Sequence, residues 1–330
     1  MAKLANTFVS GDAKGNREEL SDVVSRITPE DTPIYSMIGK GSAKSTHPEW
    51  EIDDLAAPAD NAHAEGDEFD FDAIGTPERV GNYTQIFRKT WAVSRTQNSV
   101  DNAGNVEKIK HQKLKKGIEV RKDIEFALLG NTASKATDPR KLGSLSSWYE
   151  TNVDRGATGA NGGFDDATGL TVAATAGTKR AFTKGLLDGT MQQIYTSGGT
   201  PKMAVCSPYV KSVFTTFMSD ANVASFRYAV GKGGKNTIVA TADVYEGDFG
   251  KVMIVPNRVQ AGNATMASNV HYLDPALLKM KMLDKIQNVK NLAKTGDANK
   301  GVIIGEGTLC VKNEKGLGVT ADVFGLTAAT

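Results

Sequence analysis

Two glycine- and lysine-rich stretches have the residue types of phosphate-binding loops. In Gly39-Lys40-Gly41-Ser42-Ala43-Lys44-Ser45, Ala43 stands where a second glycine must let the backbone approach a phosphate, and the pattern before it predicts a helix rather than a strand. Gly231-Lys232-Gly233-Gly234-Lys235-Asn236-Thr237 places Gly234 before Lys235. However, Ala229 replaces the first glycine, Asn236 replaces the magnesium-binding hydroxyl, and a strand pattern follows where a helix is required. Both stretches read as flexible surface loops. His63-Ala64-Glu65 matches the opening of a zinc deaminase signature, but no Pro-Cys-x-x-Cys follows anywhere. The four histidines (His47, His63, His111 and His271) never fall at ligand spacing. Asp67, Asp70 and Asp72 could begin a calcium loop, yet Ile74 occupies the third ligand position. No Gly-x-Ser-x-Gly elbow is present. The spacing thus assigns no catalytic, cofactor-binding or metal-binding residue, and the expectation is a protein that is not an enzyme.

What the charges could do is hold surfaces together. Between Glu51 and Glu78 there are ten acids and no lysine or arginine. One reading is a solvated acidic face, partly neutralised by Arg88, Lys89 and Arg95 on a returning strand, since opposite charges across a strand pair are favourable. The other sets Asp67, Glu68, Asp70 and Asp72 against the basic residues of a long helix in a neighbouring copy: Lys108, Lys110, Lys113, Lys115, Lys116, Arg121 and Lys122. The two readings are compatible.

Across 330 residues, 39 lysines and arginines balance 38 acids. A protein that grips nucleic acid by its phosphates needs a clear basic excess or a strongly basic face, and the total offers none. Cys206 and Cys310 sit inside apolar strand-like runs and read as free, buried thiols. No apolar run approaches the ~20 residues that span a membrane, and the first residues lack the apolar core of a signal peptide.

The elements that must position these charges follow from periodicity. Residues 1–15 are small and polar and read as an arm. Asn16 and Glu19 then form a capping box for a short helix with Leu20, Val23, Val24 and Ile27 on one face, stopped by Pro29. Thr32-Pro33 opens a second short helix that ends at Gly39. From 47 to 95 the period switches to two. Glu49-Trp50-Glu51-Ile52-Asp53, Glu68-Phe69-Asp70-Phe71-Asp72 and Tyr83–Arg95 predict a long antiparallel ribbon with an acidic outgoing and a basic returning arm. A helix of roughly 42 Å is predicted over 101–129, capped by Asp101 or Asn102, with Val106, Ile109, Leu114, Ile118, Ile124 and Leu128 as its apolar stripe. Residues 132–180 are loop-rich. A compact α/β part follows: a helix from Thr183 to Gly198, a strand at 202–206, a helix opened by Ser207-Pro208, and strands at 237–245 and 251–256. Closing strands lie around Val270–Tyr272, Ala276–Met282, Gly301–Val311 and Val319–Phe324.

This order of elements resembles the major capsid proteins of tailed bacteriophages, an α+β, HK97-like fold named after phage Hong Kong 97. The resemblance spans roughly residues 15–320 and is carried by local phrases in order. They are Asp31-Thr32-Pro33-Ile34-Tyr35 with Glu49-Trp50; Gly198-Gly199-Thr200-Pro201 leading to Ser207-Pro208; Phe249-Gly250-Lys251-Val252; Leu273-Asp274-Pro275; and Gly305-Glu306-Gly307-Thr308-Leu309 with Asn313-Glu314. The resemblance implies an N-terminal arm at 1–46, an extended loop at 47–95 and a peripheral domain with its spine helix at 96–181. It also implies an axial domain at 182–268 and a return to the peripheral domain at 269–330. It implies hexamers and pentamers in the closed head of a virion, assembled in the host bacterial cytoplasm around double-stranded DNA without sequence-specific contacts, with no cofactor. Portal and scaffolding proteins, and a decoration protein outside the shell, are the partners it suggests. Many relatives carry a long cleaved N-terminal segment for which this chain has no room, so the expectation is a separate scaffold. An encapsulin-like compartment shares the fold, and a hydrolase with an unrecognised site is the rival of another class.

Overall fold

In a computed structural model, which describes residues 28, 30–66, 68, 71, 74–100, 108–217, 228–230, 236–238, 243–289, 292–293 and 296–324, the order of elements is as follows. The first half holds α1 (Pro33–Met37), β1 (Gly39–Ser42), β2 (Glu49–Ile52), β3 (Glu78–Gly81), β4 (Gln85–Ser94), α2 (Arg95–Ser99), α3 (Lys108–Leu129), β5 (Val153–Asp154), β6 (Gly163–Asp165) and β7 (Leu170–Val172). Then come α4 (Lys184–Thr196), β8 (Met203–Cys206), α5 (Pro208–Thr216), β9 (Tyr228–Val230), β10 (Asn236–Ile238), β11 (Val244–Gly247) and β12 (Gly250–Pro256). The chain closes with α6 (Arg258–Ala261), α7 (Ala264–Ala267), β13 (Val270–Leu273), β14 (Leu278–Asn288), β15 (Ala298–Val311) and β16 (Gly318–Thr320). The predicted helix at 16–28, the caps at Asp101 and Asn102 and the glycine-rich stretch 231–235 lie outside the described residues or at their edge.

A six-stranded sheet, ordered β11-β12-β8-β13-β16-β5, is the wall between two cores. Successive side chains on a strand point to opposite faces. Met203 and Val205 of β8 therefore join one core, while Ala204 and Cys206 join the other. Being covered on both sides is what the unbroken apolar run at 203–206 encodes. The second core packs α4 through Leu187, Met191 and Ile194, and α5 through Val210, Val213 and Phe214. Both helices start where the sequence puts them: Thr183 accepts from the Leu186 amide and Ser207 from the Val210 amide. Each cap satisfies one of the four amides a helix start leaves open. The expected axial stretch and the returning stretch share this sheet, because β8 pairs with β13.

The first core lies between that wall, α3 and a four-stranded sheet ordered β1-β14-β15-β4. Here the sequence expectations need two corrections. The basic arm does not pair with the acidic arm: β4 pairs over its whole length with β15, from Ala298↔Ser94 to Gly307↔Gln85. That ladder buries Phe87, Trp91 and Val93, a larger gain than a few exposed charge pairs. The described pairing of the ribbon is short: β2 pairs with β3 over Glu49–Ile52 and Glu78–Gly81, and most of the strand expected at 68–72 lies outside the described residues. Finally, Gly39–Ser42 is a strand parallel to β14 rather than a flexible loop. Opposite Trp91, position 301 must be glycine, since a Cβ there would overlap the indole ring.

His271 of β13 is fully buried, its Nδ1 3.2 Å from the Tyr149 hydroxyl. Burial, with the Arg155 charge nearby, holds its pKa down at about 3. A depressed folded value means stability that is present above the ordinary histidine range and lost as pH falls from about 6.5 towards 3. From pH 7 to pH 5 this residue alone should cost ~2 kcal/mol. Urea unfolding of the unassembled subunit and of His271→Gln at both pH values checks this. An equal pH dependence in the two proteins would show that the imidazole is not the acid-sensitive group.

Candidate assembly surface

The root of the extended loop is fixed by groups drawn from distant parts of the chain. The Trp50 indole nitrogen of β2 donates to the Val311 carbonyl at 2.8 Å, and its ring lies 5.6 Å from Trp148, which stacks on Phe164 at 5.8 Å. The Lys281 ammonium sits 4.8 Å from the Trp50 ring centre. Just after β3, Asn82 is wholly buried. Its amide nitrogen donates to the carbonyls of Gly143 (3.1 Å) and Leu309 (2.8 Å), and its oxygen accepts from the Gly143 amide at 2.8 Å. Thr84 donates to Glu306 at 2.6 Å, and Arg140 donates to the same carboxylate oxygen at 2.8 Å. A buried amide with every polar atom bonded, as at Asn82, fixes one geometry.

Beyond that root the described residues of the loop are not covered by other described residues of the subunit. Every described residue from Asp53 to Arg79 is exposed. Leu55, Phe71 and Ile74 are 98%, 95% and 94% accessible. Large apolar side chains held out together from a rigid mount mark a surface made to be covered. Near the root, Lys315 bonds to Asp54, which raises the pKa of Lys315, and Arg79 lies 3.5 Å from Glu49.

The long helix α3 divides in two. From Val120 onward it is core, through Val120, Ile124, Leu128 and Leu129. Before that it is not: Ile109 and Ile118 of the expected stripe are only half-buried, and Leu114 is 65% exposed. Several of its bases are already engaged within the chain. Lys108 donates to the Gln97 carbonyl at 2.8 Å, Lys116 pairs with Glu119 at 2.7 Å, and the Lys113 ammonium lies 5.4 Å from the Trp91 ring centre. Lys110 also has a partner. Lys115 and Arg121 are exposed, and Lys122 is half-buried; none of the three forms an ion pair among the described residues. Glu68 is exposed on the loop, and Asp67, Asp70 and Asp72 lie outside the described residues. Among the described residues, no ion pair joins the loop to α3 within one chain.

Among the described residues, two bases of the within-ribbon reading have partners outside the acidic arm. Lys89 pairs with Asp123 of α3 at 2.8 Å, and Arg95 with Asp297 at 2.9 Å. Sequence reasoning passed over Asn82 and Glu125, since a lone asparagine in Gly-Asn-Tyr and one acid in a basic helix carry no local signal. Among the described residues no group of three or more histidines, cysteines or acids could hold a metal, and no helix is long and apolar enough to cross a membrane.

A six-stranded wall between two cores, a long helix and a rooted, outstretched loop make the fold of shell-forming subunits. The chain superposes on a chain of the cyanophage A-1(L) capsid asymmetric unit with a TM-score of 0.63 at 12% identity, covering 96% of this chain and 98% of that one. It also superposes on the encapsulin complex of Synechococcus elongatus with a TM-score of 0.57 at 11% identity, covering 99% of each. At such identities the likeness speaks of fold alone, and phage capsids and encapsulins share it. The model of the SU10 major capsid protein family matches residues 4–324, and the chain belongs to that family. A major capsid protein of Escherichia phage Phieco32 is 35% identical over 148 residues, a stretch amounting to 41% of this chain and 42% of that relative's length.

Proposed function

We propose that copies of this chain tile as hexamers and pentamers into the closed head of a tailed phage, with loop 53–77 of each copy lying on a neighbour. The observation that carries this is the rooted loop: Asn82 at its mount is buried and bonded to Gly143 and Leu309, while Leu55, Phe71 and Ile74 face solvent on the isolated subunit. The stretch that needs a neighbour is thus shorter than 47–95. Its acids, Asp67, Glu68, Asp70 and Asp72, pair with Lys115, Arg121 and Lys122 of the adjacent subunit's α3, and with those of Lys108, Lys110, Lys113 and Lys116 that exchange partners on assembly.

Double-stranded DNA is the cargo on this reading, and portal and scaffolding proteins are the other partners in the host cytoplasm. A wall with 39 bases against 38 acids contains DNA without neutralising many phosphates, which would hinder release. The peripheral and axial division at 182 and 269 is part of the same proposal.

Negative-stain microscopy of purified protein, with the contents of the particles analysed, is the direct test: DNA-filled or empty heads fit the reading, and packaged enzyme identifies a compartment shell. Asp70→Lys with Asp72→Lys should impair assembly and leave the subunit folded. Adding Lys115→Glu and Arg121→Glu should partly restore it, because each exposed pair contributes ~0.2–1 kcal/mol and the contact repeats around the shell. Unchanged assembly of the double reversal would rule out the charge pairing.

A further inference from the structure

The sequence holds a single asparagine followed directly by glycine, Asn161-Gly162. In such a pair the main-chain nitrogen of the glycine can approach the asparagine side chain, since no Cβ stands in the way. That nitrogen attacks Cγ and closes a five-membered succinimide, its proton passes to solvent, and the side-chain amide leaves as ammonia. Water then opens the ring at either carbonyl, giving aspartate or an isoaspartate whose main chain runs through the former side chain. The step needs an accessible side-chain amide and a main-chain N–H that no hydrogen bond holds.

Both conditions are met here. Asn161 is exposed and lies in neither helix nor strand, between the bridge Ala160↔Thr175 and β6. Among the described residues the Gly162 amide donates to nothing. Other asparagines are held differently: Asn82 is buried, and the amide after Asn131 donates to the Ser144 hydroxyl at 2.9 Å.

The neighbourhood also shows what conversion undoes. The Asn161 side-chain nitrogen donates to the Glu150 carbonyl at 2.9 Å, and a carboxylate there sets acceptor against acceptor. Isoaspartate in addition lengthens the main chain by one carbon just before Gly162. That residue is wedged so closely that a Cβ on it would come within 2.7 Å of the Val172 carbonyl oxygen and 2.8 Å of the Ser146 one. Two residues on, Phe164 stacks on Trp148, which lies against Trp50 at the root of the loop.

We propose that Asn161 is the chain's site of spontaneous deamidation, and that the conversion loosens the β6–β7 hairpin behind the Trp148 stack. The proposal does not depend on the shell assignment, because it concerns the chemistry of one subunit.

The test keeps the full chain at pH 8 in heavy-oxygen water, either folded or unfolded in urea. Trypsin then frees Gly156–Lys179, in which Asn161 carries the only side-chain amide. This peptide should gain the mass of amide-to-acid conversion. The folded chain should convert within about tenfold of the unfolded rate, since no hydrogen bond has to open first. Asn161→Gln should stay unconverted. Asn161→Asp, standing for the product, should speed hydrogen exchange across β6 and β7 by about fivefold, as the loss of one hydrogen bond does. Conversion more than about tenfold slower in the folded chain would mean that the fold shields the site, and would overturn the proposal. Unchanged exchange in Asn161→Asp would overturn the loosening.

Discussion

Replacing Leu55, Phe71 and Ile74 together by aspartate should leave the subunit folded and abolish shell formation. On the isolated subunit these side chains touch almost nothing, being 98%, 95% and 94% exposed. Exposed substitutions of this kind change stability by no more than about 0.5 kcal/mol. On the proposed packing the same side chains are covered by a neighbour, and burying each large apolar side chain contributes ~1.5–3 kcal/mol. Three per subunit amount to roughly 4.5–9 kcal/mol, before the added cost of burying an unpaired carboxylate. The association should therefore weaken by far more than a thousandfold. Thermal melts of the unassembled variant, beside sedimentation of the assembly reaction, separate the two effects. Normal particles from the triple variant would mean that the loop's apolar side chains face solvent in the shell too.

The second large effect lies at Glu125, in the core half of α3. The side chain is fully buried, and its two oxygens accept from three donors: the Ile34 amide at 3.0 Å, the Tyr35 amide at 2.8 Å and the Asn257 side chain at 2.7 Å. Ile34 and Tyr35 open α1, where the Thr32 side chain makes no capping bond. A carboxylate 90 residues away thus does the work of the missing cap and sits at the positive end of the helix. Asn257 in turn caps α6 by accepting from the Val259 amide at 2.9 Å. Three elements meet on one carboxylate. Glu125→Ala leaves three buried donors without an acceptor, at ~1–3 kcal/mol each, and should destabilise the subunit by about 3–5 kcal/mol.

Burial raises the Glu125 pKa, opposed by the Tyr35 and Ile34 amides and by Asn257. A raised folded value gives stability that is fully present below the ordinary carboxylate range and lost as pH rises through the folded value. Glu125→Gln should flatten that part of the pH dependence, and it should cost less than the alanine because one acceptor oxygen survives. Urea unfolding of both variants across pH 4 to 8 measures each effect. An alanine variant within about 1 kcal/mol of the parent would mean that water takes over the three donors.

Much of this architecture is legible in the sequence because local physics writes it there. Ser207-Pro208 and Thr183 announce their helices, since the cap is made within three residues. The run 203–206 announces a doubly covered strand. The acids between Glu51 and Glu78 announce a segment that stays out of its own core.

Other features are settled only when distant parts of the chain meet. Alternation at Tyr83–Arg95 marks a strand but says nothing of its partner, which lies some 200 residues on in β15 rather than in the acidic arm. Backbone ladders are alike at every register, so the choice falls to which pairing buries Phe87, Trp91 and Val93, a property of the assembled core. Glu125 looks like one more charge on a polar helix until α1 and Asn257 arrive to bond it. The first described turns of α3 read as amphipathic, yet Ile109 and Ile118 are only half-buried and Leu114 is exposed. Local propensity fixes elements, whereas pairing and burial are energies of contact, and contacts between residues far apart in sequence exist only in the folded subunit.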